Sequence, residues 1–378
     1  MSKTSRVSNT KASIMNMKKG ALLTLLLLSG LTSVAQTEIT EYTPGVSTEG
    51  AVYFLPKTAI NISITVEKSS YIPGELCQYA ERYLRINNIS KSEDMHYSIK
   101  QVTIASQGLP DATKAYHIQF APNTVAPLVT LDEAGLLLAV NTTPDEPSAA
   151  APVAAEKKTA ALPNPRDFMT EEMLMTGSKA KLAELVAKEI YNIRESRSLF
   201  MKGQNENMPK DGEALRIILD GLQQQEEVLL RLFTGTTITE LTTQTYQVIP
   251  ENSVDKVVLG RFSRKLGLLH PDDLAGMPVY IDIKAHNNVA PIPAEDPQAK
   301  GKKGAKAKKS TKQDGIVYNI PDKADIKVYT NSETLTEDTY PIAQFGNTET
   351  LSSTFFTKKK ATKVTLSPTT GALLKVEE

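Results

Sequence analysis

The chain has 378 residues, enough for two or three domains with cores of their own. Its 43 Lys plus Arg balance 43 Asp plus Glu, so whole-chain charge excludes a general attraction to nucleic acid or another polyanion, and any charge-driven binding is local. An apolar share of 40% and a charged share of 23% are ordinary for a globular protein.

The chain opens with a targeting signal. "MKKGALLTLLLLSGLTSVAQ" starts at Met17, with Lys18 and Lys19 ahead of the apolar run Ala21–Leu31 and small residues at Ser33 and Ala35. That pattern predicts a signal peptide cleaved after Ala35, leaving Gln36 as the new N-terminus. The apolar run is too short to cross a bilayer, and residues 1–16 read as an extension ahead of a start at Met17. Together, residues 1–35 are the N-terminal extension and signal peptide. The single cysteine, Cys77, excludes an internal disulfide and reads as a small buried hydrophobe.

Residues 36–143 read as a β-rich domain with one short helix. "GAVYFLPKTAINISITV" at 50–66 predicts two short strands around Pro56, with Ile60, Ile62, Ile64 and Val66 alternating toward a core. A short helix is expected at 73–85, strands at 97–106 and 115–120, and a hairpin at 128–141 with Gly135 in its turn. Residues 144–166 are rich in Pro and Ala and poor in large apolar groups, which predicts an extended linker.

Residues 167–233 change grammar. Leu182, Leu185, Val186, Ile190, Ile193 and Phe200 recur at helical spacing. After a break, Asp211 is an N-cap candidate for a second helix, whose Leu215, Ile218, Leu222, Leu229 and Leu232 follow a heptad-like pattern with Gln225 in the seam. The expectation is a long antiparallel helical hairpin whose first helix runs close to 30 residues, about 45 Å. Gln223, Gln224, Gln225, Glu226 and Glu227 leave part of its second helix polar, a face that could meet another protein.

Residues 234–378 read as a second β-rich domain. "TTITELTTQTYQVIP" and "MPVYIDIKA" are strands, and "VDKVVLGRFSRKLGLL" is ambiguous between strand and helix. Residues 290–314 carry seven lysines from Lys300 to Lys312 and read as a disordered inserted loop that could attract an anionic surface. The loop lacks interleaved aromatics, so base stacking is not indicated.

Landmarks recur between the two ends. "GIVYNIPDKADIKVYT" at 315–330 echoes "GAVYFLPKTAINISIT" at 50–65, "YPIAQFGNT" at 340–348 echoes "YHIQFAPNT" at 116–124, and "VTLSPTTGALLKV" at 364–376 echoes "VTLDEAGLLLAV" at 129–140. Three landmarks in one order imply that the two β segments share a plan. The predicted class is α+β: two related β-rich domains separated by a linker and a long antiparallel helical hairpin.

Chemistry is weakly marked. His96, His117, His270 and His286 show no ligand spacing, and no metal or cofactor signature is present. No nucleophile elbow or phosphate-cradling loop occurs. The best acidic pair is Asp272 and Asp273 in "HPDDLAGMPVYI", the weak catalytic candidates of a glycan hydrolase.

Several stretches, "EIYNIRESR", "DGEALRIILDGLQQQEEVLLRLFTG", "RFSRKLGLLHPDDLAGMPVYI" and "LSPTTGALLKV", resemble an uncharacterised family of exported proteins from the Bacteroidetes phylum. That resemblance implies export to the cell envelope and a β–helical hairpin–β order, and it carries no activity and no site residues. The expected function is a non-enzymatic envelope protein, at the periplasm or outer-membrane periphery, that binds or scaffolds a protein partner through the hairpin. The alternative is an envelope hydrolase acting on glycans. No nucleic-acid partner and no transmembrane span in the mature chain are expected.

Overall fold

The computed structural model describes residues 38–42, 50–119, 129–144, 162–204, 208–209, 211–289, 315–352, 355–357 and 360–377. The predicted extension and signal peptide, most of the predicted Pro/Ala linker and the predicted Lys-rich loop lie outside the described residues.

Two long strands organise the first half. β1 (Glu38–Glu41) is followed by β2 (Ala51–Ile72) and β3 (Asp94–Gln119), and β2 and β3 pair antiparallel over almost their full length. The strand break expected at Pro56 is a bulge instead: the β2–β3 register shifts between Phe54 and Pro56, where Pro56 faces Pro110. A proline lacks the N–H that a central strand needs on both sides. Here the strand on the other side of β2 reaches only as far as Ile60, so the ladder continues past Pro56 unharmed.

Between β2 and β3 lie a 3₁₀ turn at Cys77–Tyr79 and α1 (Ala80–Leu84), which ends at left-handed Arg85. The hairpin β4 (Val129–Leu131) and β5 (Leu137–Val140) follows β3. Next come α2 (Glu171–Leu174), α3 (Lys179–Met201) and α4 (Gly212–Thr234). The chain then returns to strand: β6 (Thr236–Val248), β7 (Val254–Ser263), β8 (Gly267–Leu269), β9 (Met277–Ala285), β10 (Gly315–Thr330), β11 (Thr334–Ser352), β12 (Phe356–Thr357), β13 (Lys360–Ala361), β14 (Lys363–Leu366) and β15 (Leu373–Glu377). The ambiguous stretch 254–269 is therefore strand, turned between β7 and β8.

A four-stranded sheet runs β1-β3-β2-β6, and a five-stranded sheet runs β11-β10-β9-β7-β8. They face each other across one core: Ile60, Ile62, Ile64 and Val66 of β2 meet Val279, Ile281, Ile283, Ile326 and Val328. Strand alternation sends these side chains to one face, where β-branched residues pack well. A second core joins Tyr53, Leu55 and Ile118 to Ile316, Val317, Leu137, Val140, Val364 and Leu366. A third lies among the helices, where Leu76, Ala80 and Leu84 pack on Ala183, Val186, Ile190, Leu229 and Phe233.

This arrangement corrects the predicted class: the protein is mostly β, not α+β. There are not two β-rich domains on either side of a helical divider, because strands from both ends of the chain share sheets. β6 lies beside β2 in the first sheet, and the last four-stranded sheet runs β15-β14-β5-β4, with Val140 facing Val364 and Ala139 facing Thr365. The echoed hairpins are neighbours. Each carries a register shift at the same point of its "VTL", between Thr130 and Leu131 and between Thr365 and Leu366.

The long antiparallel helical hairpin is also corrected. α3 ends at Met201, before Gly203 at φ 68, and it begins after extended Ser178. It has 23 residues, about 34 Å at 1.5 Å per residue, and it does not stand out as a divider. The inner halves of α3 and α4 are packed against the Leu76–Leu84 segment from the β2–β3 connection.

The echoed openings also begin alike. Gly50 precedes β2 at φ 149 and Gly315 opens β10 at φ 141, in backbone that side-chain-bearing residues rarely enter. A Cβ on Gly315 would lie 1.9 Å from the Leu351 carbonyl oxygen, and one on Gly50 would lie 2.2 Å from that of Ile118.

Candidate functional site

Sequence reasoning singled out the polar seam of α4, and the structure places part of it in a groove. Asp211 caps α4 by accepting from the Glu213 amide at 3.2 Å. The buried residues of α3 stop at Ile193 and those of α4 start at Glu226, so the inner halves form the helical core and the outer halves do not. At that junction Glu226 is nearly buried, and both of its oxygens are held: Arg194 Nε donates to Oε1 at 2.6 Å and Arg197 to Oε2 at 3.1 Å. Charge-assisted bonds of this kind are strong and directional. They tie α3 to α4 where apolar packing runs out.

Beyond this triad lies an open groove of about 550 Å³, lined by Arg197, Met201, Leu219, Asp220, Glu227 and Leu230 among others. Met201 is 72% exposed and nearby Ile217 is 62% exposed. Gln223 donates to Glu227 at 2.9 Å. The seam residue is Glu226 and not Gln225, one position from the heptad expectation, because Val228, Leu229, Leu232 and Phe233 set the buried face. Arg194 and Arg197 were missed in the sequence. Their signal was the three-residue spacing in "IRESR", which puts both guanidinium groups on one side of α3.

A second concavity, about 410 Å³, lies where the helices meet the β2–β3 connection and is lined by Gly74, Glu75, Leu162, Asn164 and Arg231 among others. Cys77, at the start of the adjacent 3₁₀ turn, is half-buried and carries a free thiol.

The other marked residues are dispersed. Asp272 and Asp273 sit in the exposed turn between β8 and β9. The Asp272 carboxylate is 92% exposed and lies 3.3 Å from His270 Nδ1, while Asp273 accepts from the Ala275 amide at 3.0 Å. Both carboxylates are engaged within their own turn. His96 lies 3.3 Å from Asp94 on an exposed strand end. His286 lies 2.9 Å from Asp325, whose carboxyl is held below its usual range by the Thr339 hydroxyl and by His286. His117 is buried in β3. Among the described residues, no three His, Cys, Asp or Glu side chains gather where they could hold a metal ion. No described helix is long and apolar enough to cross a membrane. Lys300–Lys312 lies outside the described residues.

Comparison with curated proteins finds no match, and comparison with solved structures finds none either. One family model does match, over residues 49–374, from the first long strand to the last hairpin. The chain thus belongs to the family described as Domain of unknown function (DUF4831).

Proposed function

We propose that this is an exported, non-enzymatic protein of the cell envelope that binds a protein partner through the groove between the outer halves of α3 and α4. One observation carries the reading. The helix pair continues past its own core and presents Met201, Leu219 and Leu230 in a groove whose floor is fixed by the Arg194–Glu226–Arg197 triad. A groove lined by both apolar and charged side chains suits an amphipathic helix. Glu226 is balanced within the triad, and the other charged lining residues are Asp220 and Glu227, so the fitting occupant is a helix with an apolar stripe flanked by Lys or Arg. Support for export is the Met17–Gln36 segment.

The test is a photo-crosslinking residue placed at Met201 or Leu219 in cells, with mass spectrometry of the products. A partner crosslinked through a basic amphipathic helix is expected, and Asp220→Lys with Glu227→Lys should abolish it. Crosslinks that survive the charge reversal, or none from either position, would refute the assignment.

A further inference from the structure

β6 is the edge of the first sheet, and among the described residues it pairs with β2 alone. It is 13 residues long and runs beside β2 with no register shift from Thr236 to Val248. Natural sheet edges are guarded by short length, bulges, prolines or charge. β6 has no proline, no bulge and a single charged residue, Glu240, which Lys68 of its own sheet already pairs at 3.0 Å. Its inner side is held straight by cross-strand bonds, Ser63–Thr245 and Thr65–Thr243 at 2.9 Å each and Gln247 to Asn61 at 3.1 Å. A long, rigid, threonine-rich edge is a pairing surface.

We propose that β6 pairs antiparallel with β6 of a second copy of this chain, centred on Thr242. About that centre the strand is complementary to itself over its full length. Thr236 faces Val248, Ile238 faces Tyr246, Glu240 faces Gln244, Leu241 faces Thr243, and Thr242 faces its own copy. Aromatic–β-branched pairs stabilise an antiparallel ladder, the carboxylate meets an amide that donates to it, and no like charges oppose. A ladder centred on Glu240 would set the two carboxylates face to face and leave the last residues unpaired. The two-fold axis stands perpendicular to the sheet, so both copies keep their cores on one side and the two sheets join into one of eight strands.

Sedimentation of the full chain over a dilution series should show a monomer–dimer equilibrium. Gln244→Lys adds two ion pairs per dimer and should tighten it; Gln244→Glu sets Glu opposite Glu and should weaken Kd by about tenfold. Glu240→Lys combined with Gln244→Glu should restore the dimer. In a Cys77→Ser background, oxidised Thr242→Cys should give a covalent dimer and Thr243→Cys should not, since only position 242 meets itself. A chain that stays monomeric assigns the edge to another occupant and overturns the proposal. So does a dimer indifferent to both charge variants, or one that Thr242→Cys fails to link.

Discussion

The hydroxyl of Tyr53 accepts from the amide of Val317 at 3.0 Å and donates to the carbonyl of the same residue at 3.2 Å. One phenol therefore replaces a strand partner for a backbone unit 264 residues away, and it does so between the two echoed segments. Asn319 reinforces the junction by donating to the Pro56 carbonyl at 3.1 Å and that of Thr370 at 2.8 Å. Burial pushes the Tyr53 hydroxyl far above its usual pKa, so it stays neutral and keeps both roles.

Tyr53→Phe should therefore destabilise the protein by about 2 kcal/mol, because it strands a buried N–H and a buried C=O together. Its counterpart Tyr318 bonds the exposed side chain of Glu349 at 2.6 Å, and Tyr318→Phe should cost well under about 1 kcal/mol. Urea midpoints compare the two. Burial and Glu349 push the Tyr318 pKa up to about 12. The raised value means that its stabilisation is complete below the ordinary tyrosine pKa and is lost as pH rises toward 12. The alkaline tyrosinate titration should lose a step near pH 12 in Tyr318→Phe.

Asp111 governs acid sensitivity at the bend of the β2–β3 ladder. Burial alone would raise its pKa, but the Thr113 hydroxyl and amide, at 2.6 and 3.0 Å, and Lys57 at 3.5 Å bring it below the usual aspartate value. A lowered folded-state pKa stabilises above the unfolded value and is lost as pH falls through the folded one. Asp111→Asn should flatten the stability profile below about pH 4 and leave its slope at neutral pH unchanged. Thermal melts across that window check the sign.

The helix-pair triad makes an ordering prediction. Glu226→Ala frees two arginines that are each more than a third exposed, 38% and 36%, and so regain water; the loss should be about 1 kcal/mol. Arg194→Ala with Arg197→Ala instead strands a carboxylate that is only 12% exposed, which should cost about 3 kcal/mol. Equal losses in denaturant unfolding would mean that the triad does not work as a buried acid held by two bases.

The proposed export has a direct readout. N-terminal sequencing of the protein from an envelope fraction should begin at Gln36, and Ala35→Pro should leave the precursor uncut. A protein that starts at Met1 or Met17 and stays in the cytosol would remove the envelope from the functional reading.

By itself the sequence determined what is local. Alternation at Ile60, Ile62, Ile64 and Val66, the cap at Asp211, the hairpins that close each β segment and the landmarks Gly50 and Gly315 are all written in neighbours a few residues apart, where periodicity and turn chemistry operate. Tertiary structure alone decided that the strands continue through Pro56, because that depends on where β6 stops. It decided that Val140 and Val364 sit side by side in one sheet, which turns two expected domains into a shared scaffold. It also set the length and packing of α3, the capture of Glu226 by Arg194 and Arg197, and the exposure of the β6 edge. These features arise from surfaces brought together across long stretches of chain, and only closure of the cores selects which segments meet.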